Sequence, residues 1–306
     1  MKPRRTFLLT SLLLTMLLTA VSLPLGQTPS PPIDQDYDVI KTNTNLVTLN
    51  ISVTKQNRPI TDLAATDFEI TDAGATVKPE FFEAQGPASI VFVIDTSTSM
   101  RGVKWQNLSF GLKEFLKKQS GDTEYTLIVF SDKPSLVSQA MTAKEFWKEF
   151  AAIRPDGETA LYDGLALGLD QINCLARHHK AVVLLSDGED NQSTKDLATI
   201  QRLVFKSHTT IYAVGILLSP KDGPSTQWRD RQLLEDIATE TGGLSFFPHP
   251  DQIDQVLTNI SREISSQYSF GYYAANPTPG SRNVNVRLLR PLKDTTLRYP
   301  TRYVLR

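Results

Sequence analysis

A chain of 306 residues, 40% of them hydrophobic and 21% charged, has ordinary globular composition, with room for one large domain or two smaller ones. Its formal charge of −1, with Lys and Arg spread evenly, excludes nucleic acid as an expected partner, because a phosphate-binding surface shows a basic excess or stripe. The single cysteine, Cys174, excludes an intramolecular disulfide, so stability has to come from burial.

The first element in chain order is Met-Lys-Pro-Arg-Arg followed by an apolar run from Phe7 to Leu23. A basic start, an apolar stretch and small residues at Ala20 and Ser22 have the form of an export signal, with cleavage after Ser22 or near Gly26. A retained anchor is the alternative, since the run approaches the roughly 18 to 20 residues needed to span a bilayer. No cysteine follows the run, so a lipoprotein anchor is excluded. Cleavage removes Lys2, Arg4 and Arg5, three positive charges, and takes the formal charge from −1 to −4. Residues 1–26 are thus expected to be signal peptide and spacer start, and 27–43, with Pro29, Pro31 and Pro32, a flexible linker. The cleaved chain then has no membrane span and is exported, to a periplasmic, cell-surface or extracellular location.

From Thr44 the pattern turns to β. Leu46, Leu49, Ile51 and Val53 predict a strand, 56–59 a turn, Phe68 and Ile70 a second strand, 72–74 another turn, and Val77 to Phe82 a third extended stretch. Residues 44–87 form a β module about the size at which a lone core fails. After Gly86-Pro87, buried-type strands alternate with amphipathic helices. Strands are expected at Ile90–Ile94, Tyr125–Phe130, Ala181–Leu185, Ile211–Val214 and Leu244–Phe247. Helices are expected at Val103–Lys118, Ala143–Ile153, Leu161–Leu175, Lys195–Phe205, Arg229–Thr239 and Ile253–Ser265. Continuous apolar strands separated by helices predict an α/β fold, a doubly wound, mostly parallel sheet covered on both faces, over 88–267. Cys174, following Leu165, Leu169 and Ile172 in a helical pattern, is expected to be a small buried residue. Residues 268–306 return to β character at Tyr268–Tyr273, Val284–Leu289 and Thr296–Leu305. The two terminal β segments are each too small to fold alone and are expected to combine into one small β-sandwich.

Ligands of open α/β sheets collect at the carboxyl ends of the strands, where strand order reverses. Three loops with hard oxygen are expected there: Asp95-Thr96-Ser97-Thr98-Ser99, Gly157-Glu158-Thr159 and Ser186-Asp187-Gly188. With Leu184-Leu185-Ser186-Asp187-Gly188 and Thr159-Ala160-Leu161-Tyr162-Asp163, they resemble the von Willebrand factor A family and its metal-ion-dependent adhesion site, over residues 88 to 267. The segment Pro59 to Leu63 with Asp67 to Ile70 resembles the β segment preceding this domain in exported bacterial members, which implies a bacterial origin.

The resemblance implies a divalent ion held by Ser97 and Ser99 directly, by Thr159 directly or through water, and by Asp95 and Asp187 largely through water and hydrogen bonds. Hydroxyls, carboxylates and retained water suit Mg2+, with Mn2+ or Ca2+ as alternatives. Alternation in an extended loop would point Asp95, Ser97 and Ser99 the same way. The family's use of the ion implies a partner protein that completes the shell with an Asp or Glu carboxylate. Two departures, Thr98 between the serines and Glu158 before Thr159, motivate the alternative of a metal-independent envelope scaffold with a vestigial site. Taken alone, Ser99 is also explained as a cap for the helix that follows.

Enzyme readings fall short. Ser97 stands where a phosphoryl-transfer Asp nucleophile would have its second Asp, and no Gly-x-Ser-x-Gly turn is present for a serine hydrolase. His178-His179 are expected to serve the end of the preceding helix, and Glu189-Asp190 to form a solvated loop face.

Overall fold

The computed structural model describes residues 46–119, 121–216, 225–274, 277–290 and 292–305. The expected signal and linker, 1–43, lie outside the described residues. The N-terminal β segment contributes β1 (Leu46–Lys55), β2 (Arg58–Pro59), β3 (Phe68–Asp72), β4 (Ala75–Thr76) and β5 (Phe81–Ala84). Then follow β6 (Ser89–Asp95), α1 (Val103–Lys118), β7 (Glu124–Phe130), β8 (Pro134–Met141), α2 (Ala143–Ala151) and α3 (Leu161–Asn173). The α/β part ends with β9 (Lys180–Ser186), α4 (Leu197–Ser207), β10 (Thr210–Gly215), α5 (Ser225–Glu240), β11 (Ser245–Phe246) and α6 (Ile253–Ser266). The C-terminal segment adds β12 (Tyr268–Tyr273), β13 (Gly280–Leu288), β14 (Thr295–Arg298) and β15 (Arg302–Leu305).

The central sheet runs in the order β11-β10-β9-β6-β7-β8, parallel except for β8. Side chains alternate across the pleat, so Ile90, Phe92 and Ile94 of β6 face one layer and Val91 and Val93 the other. The first layer is Leu108, Leu112 and Phe115 of α1, Phe146 and Phe150 of α2, and Ile253, Leu257, Ile260 and Ile264 of α6. On the opposite face Leu165, Leu169 and Ile172 of α3, Ile200 of α4, and Leu234 and Ile237 of α5 close the second core. The expected doubly wound fold is therefore present, and strand order reverses between β6 and β9.

The two terminal segments interleave. One antiparallel sheet is β14-β1-β12-β5 with β2 on β1; the other is β15-β13-β3-β4. Val47, Leu49, Ile51 and Val53 of β1 meet Phe68, Ile70, Val284, Val286, Tyr268 and Phe270 in a third core. Asp72, fully buried between the sheet edges, accepts hydrogen bonds from Arg282 Nε at 2.9 Å and Tyr303 Oη at 2.8 Å, which ties β3, β13 and β15 together. The alternate face of β1 is buried as well, at Asn50, Ser52 and Thr54. Asn50 Nδ2 donates to the His178 carbonyl and Ser52 Oγ to Glu263 Oε1, so this face lies against the α/β part.

Several local expectations change. Val77 to Phe82 is not one strand: β4 ends just before it and β5, in the other sheet, takes only its last two residues, Phe81 and Phe82. Thr296–Leu305 divides likewise into β14 and β15, separated at Tyr299-Pro300-Thr301, because proline has no N–H for a ladder. β8 was not expected; Pro134 and its poorly buried, serine-containing pattern suit an edge strand and weaken the signal. Cys174 is exposed, not buried. It caps α3 two residues beyond buried Ile172, which places it on the far side of the helical turn.

Candidate metal centre

The switch between β6 and β9 sets the ends of these strands side by side, with Ile94 opposite Leu185 in parallel register. Asp95 closes β6 and Ser186 closes β9, and Ser186 Oγ donates to Asp95 Oδ2 at 2.7 Å. Asp95 Oδ1 accepts from the Ser97 N–H at 2.9 Å, so the carboxylate folds the loop that follows it. Thr98 to Met100 form a 3-10 turn, and it brings Ser97 Oγ to 2.9 Å from Ser99 Oγ. The two hydroxyls thus converge, although through a tight turn and not the extended alternation expected. Ser99 does not cap α1, whose N-cap is Gly102 without a side-chain bond.

The Thr159 loop is tied to the first by backbone bonds from Thr98 N–H to the Gly157 carbonyl (2.9 Å) and from Asp156 N–H to the Thr96 carbonyl (2.8 Å). Gly157 has φ +88°, and a Cβ there would stand 2.7 Å from Asp132 Oδ1, so any side chain would be strained and crowded. Thr159 is buried; its N–H donates to Asn191 Oδ1 at 2.8 Å, and its carbonyl accepts from the Asn191 and Gln192 N–H groups. Asp190 Oδ1 accepts from the Tyr162 N–H and from Ser193 Oγ, so it holds the loop against the start of α3 and is not merely solvated. Glu158 and Thr98 are both exposed.

Asp187 is buried, with a partner on one oxygen only. Oδ2 takes Lys104 Nζ at 2.7 Å; Oδ1 is buried and has no hydrogen-bond partner. Burial, and next the Asp187 carboxylate, push the Asp95 carboxyl up to about 6, against the Ser97 and Ser186 hydrogen bonds. Two buried carboxylates, one of them with an unpartnered oxygen, and the paired Ser97 and Ser99 hydroxyls offer hard oxygen beside the Lys104 ammonium, and backbone bonds tie the Thr159 loop to them. That set fits a hard divalent cation, which takes oxygen ligands and is absent from sites of His and Cys. Among the described residues no cluster of three or more His, Cys, Asp or Glu could hold a metal ion, so a cation here would depend on hydroxyls as well as carboxylates.

The histidines stand elsewhere. His178 Nδ1 lies 2.7 Å from Glu83 Oε2 with its ring stacked on Phe81, and His179 is buried beside Gly86; both face β5 and its following loop, not the end of a helix. Lys104 and Asn191 were not among the expected site residues. Their contacts close across 83 and 32 residues, out of reach of a local pattern. One signal existed for Lys104: a cation in the first turn of a helix opposes the dipole and asks for a nearby acid.

The von Willebrand factor type A domain model matches residues 89–262. This chain belongs to that family. Similar curated proteins include human inter-alpha-trypsin inhibitor heavy chain H4, 26% identical over 66% of this chain and 23% of its own length. An uncharacterized protein of Borreliella burgdorferi is 25% identical over 62% of each chain. The chain spans less than a quarter of the length of the inhibitor heavy chains it matches. Among solved structures, mussel-byssus proximal thread matrix protein 1 aligns with a TM-score of 0.49, 18% identity, and coverage of 61% of this chain and 48% of that one. A von Willebrand factor type A protein of Catenulispora acidiphila aligns with a TM-score of 0.47, 12% identity, and coverage of 85% and 75%.

Proposed function

We propose that this von Willebrand factor A domain is an exported protein-binding module whose divalent cation, Mg2+ or a similar ion, is held by Ser97, Ser99 and Thr159 with Asp95 and Asp187. The observation that carries the reading is the convergence of the Ser97 and Ser99 hydroxyls beside buried Asp95, with Asp187 Oδ1 left without a partner. The ion would supply an electrophilic centre for a carboxylate. The chain's own residues would supply its oxygen donors; the two carboxylates balance the ion's charge, and the Lys104 ammonium on Asp187 leaves the site net positive for an Asp or Glu of a partner protein. The working division keeps the adhesion domain at 88–267 between β segments 44–87 and 268–306. Among the described residues no helix is long and apolar enough to cross a membrane.

The reading as a binding module is supported by the Ser97 and Ser99 hydroxyls bonding to each other and by the rings of His178 and His249 facing Glu83 and Asp251. A metal-independent scaffold remains the second reading, favoured by the Lys104 ammonium that already balances Asp187.

Isothermal titration with Mg2+ and Mn2+ separates the two. Saturable heat with the wild type, lost in both Asp95→Ala and Ser97→Ala/Ser99→Ala, supports the cation site. Equal heats in all three, or none in the wild type at millimolar cation, overturn it. Binding of an acidic peptide that survives chelator would overturn its use for adhesion.

A further inference from the structure

We infer that Lys104 is an internal counter-ion that competes with the divalent cation for Asp187 and sets the affinity of the site. The inference rests on the cation reading above. Lys104 lies in the first turn of α1, directly after the loop that carries Ser97 and Ser99. Its Nζ is 2.7 Å from Asp187 Oδ2, and both side chains are largely out of solvent, 15% and 7% exposed, so salt screens the pair weakly. This contact neutralises one of the two carboxylates of the site and leaves a formal charge of −1 on Asp95, Asp187 and Lys104 together.

Three consequences follow from the charges alone. Without the cation, the ammonium relieves the repulsion between Asp95 and Asp187, and the loops keep their arrangement. On binding, a divalent ion meets a fixed positive charge on one of its own acidic residues, which lowers its affinity. Once bound, the ion keeps more of its charge for an incoming carboxylate, because the protein has neutralised less of it. Lys104 therefore trades cation affinity for attraction of an acidic partner. Arg101, nearer the loop in sequence, bonds elsewhere, to Asp156 Oδ1 at 2.5 Å and the Pro155 carbonyl at 3.0 Å.

The test titrates Mg2+ into the wild type, Lys104→Met, Lys104→Gln and Lys104→Arg, and records thermal unfolding of each in chelator and in excess Mg2+. Competition predicts that Met and Gln tighten Mg2+ binding about tenfold, roughly 1.4 kcal/mol, while Arg stays near wild type. It also predicts that Met and Gln melt below the wild type in chelator, with the gap closing as Mg2+ is added. Unchanged or weaker binding in both neutral variants overturns the role of Lys104 and leaves the cation reading standing. So does a stability loss that is the same at every Mg2+ concentration, which is the mark of a purely structural ion pair. Absence of binding in all four proteins overturns both.

Discussion

Thr159 is held in place from 32 residues away: its N–H donates to Asn191 Oδ1 while its carbonyl takes the Asn191 N–H in return. Asn191→Ala strands a buried donor, which costs about 1 to 2 kcal/mol, and frees Thr159 to move; a lower urea midpoint and weaker Mg2+ binding are expected together, and Asn191→Asp, which keeps the acceptor, should restore the midpoint. A second residue-scale case lies at the other end of β9. His179 is buried with neither ring nitrogen hydrogen-bonded, and Glu83 Oε1 is 3.6 Å from Nε2. Burial chiefly holds its pKa below 6.5; Glu83 opposes the shift and His178 adds to it. The folded state keeps the ring neutral while the unfolded chain takes up a proton below 6.5, so this contribution is present above that pH and is lost as pH falls through the folded value. Urea midpoints should fall with acidification, and His179→Leu should flatten that dependence. An unchanged slope in the variant would place the pH dependence elsewhere. At this scale the oxygen-rich loops were legible, because Asp95, Ser97 and Ser99 sit in one short stretch and Thr159 and Asp187 in two recognisable phrases. Lys104, Asn191 and the 3-10 turn were not, because each is fixed by a contact that only the folded chain closes.

Elements were legible where period and length agreed. α1 runs over the expected Val103–Lys118, and α6 over Ile253–Ser266, because a strong 3.6-residue apolar repeat persists across four turns in each. Legibility failed where one apolar stretch serves two sheets, as at β14 and β15, and where a strand lies at an edge, as β8 does. The close approach of α1 and α6 was hidden too, because it depends on an absent side chain. A Cβ on Gly111 would stand 2.6 Å from both Cβ and Cγ2 of buried Ile253. Alanine normally gains about 1 kcal/mol over glycine in a helix. Here a branched side chain in a packed core has no room to yield, and overpacking costs about 1 to 3 kcal/mol. Gly111→Ala is therefore expected to be neutral to destabilising, and Gly111→Val clearly destabilising, by chemical denaturation. Stabilisation by either substitution would show that the two helices can separate at little cost.

At the scale of the whole molecule, the α/β part and the β-sandwich share a polar seam. α6 passes into β12 through Gln267 alone, so the last helix of one part and a central strand of the other are nearly continuous. Glu263, late in α6, accepts at Oε1 from Ser52 of β1 at 2.9 Å, from Tyr212 of β10 at 2.7 Å and from Arg298 of β14, while Gln267 Nε2 donates to both Ser52 Oγ and Tyr212 Oη. Burial, and then the Glu263 charge, hold the Tyr212 phenol far above 10, so it remains a donor throughout the ordinary pH range. Removing Glu263 leaves Arg298, only 17% exposed, without its counter-charge and takes the acceptor from the Ser52 and Tyr212 hydroxyls; breaking a buried pair in this way costs about 3 to 5 kcal/mol. Because Ser52 of β1 and Arg298 of β14 reach Glu263 from the sandwich, while Tyr212 bonds it within the α/β part, the loss falls mainly on the seam and less on the three apolar cores. Glu263→Ala should therefore convert one cooperative unfolding transition into two, visible by calorimetry, with the smaller sandwich melting first. Glu263→Gln, which keeps an acceptor but not the charge, should fall between. A single, merely lowered transition in the alanine variant would mean that the β1 and β12 face holds the two parts together by packing, independently of the Glu263 network.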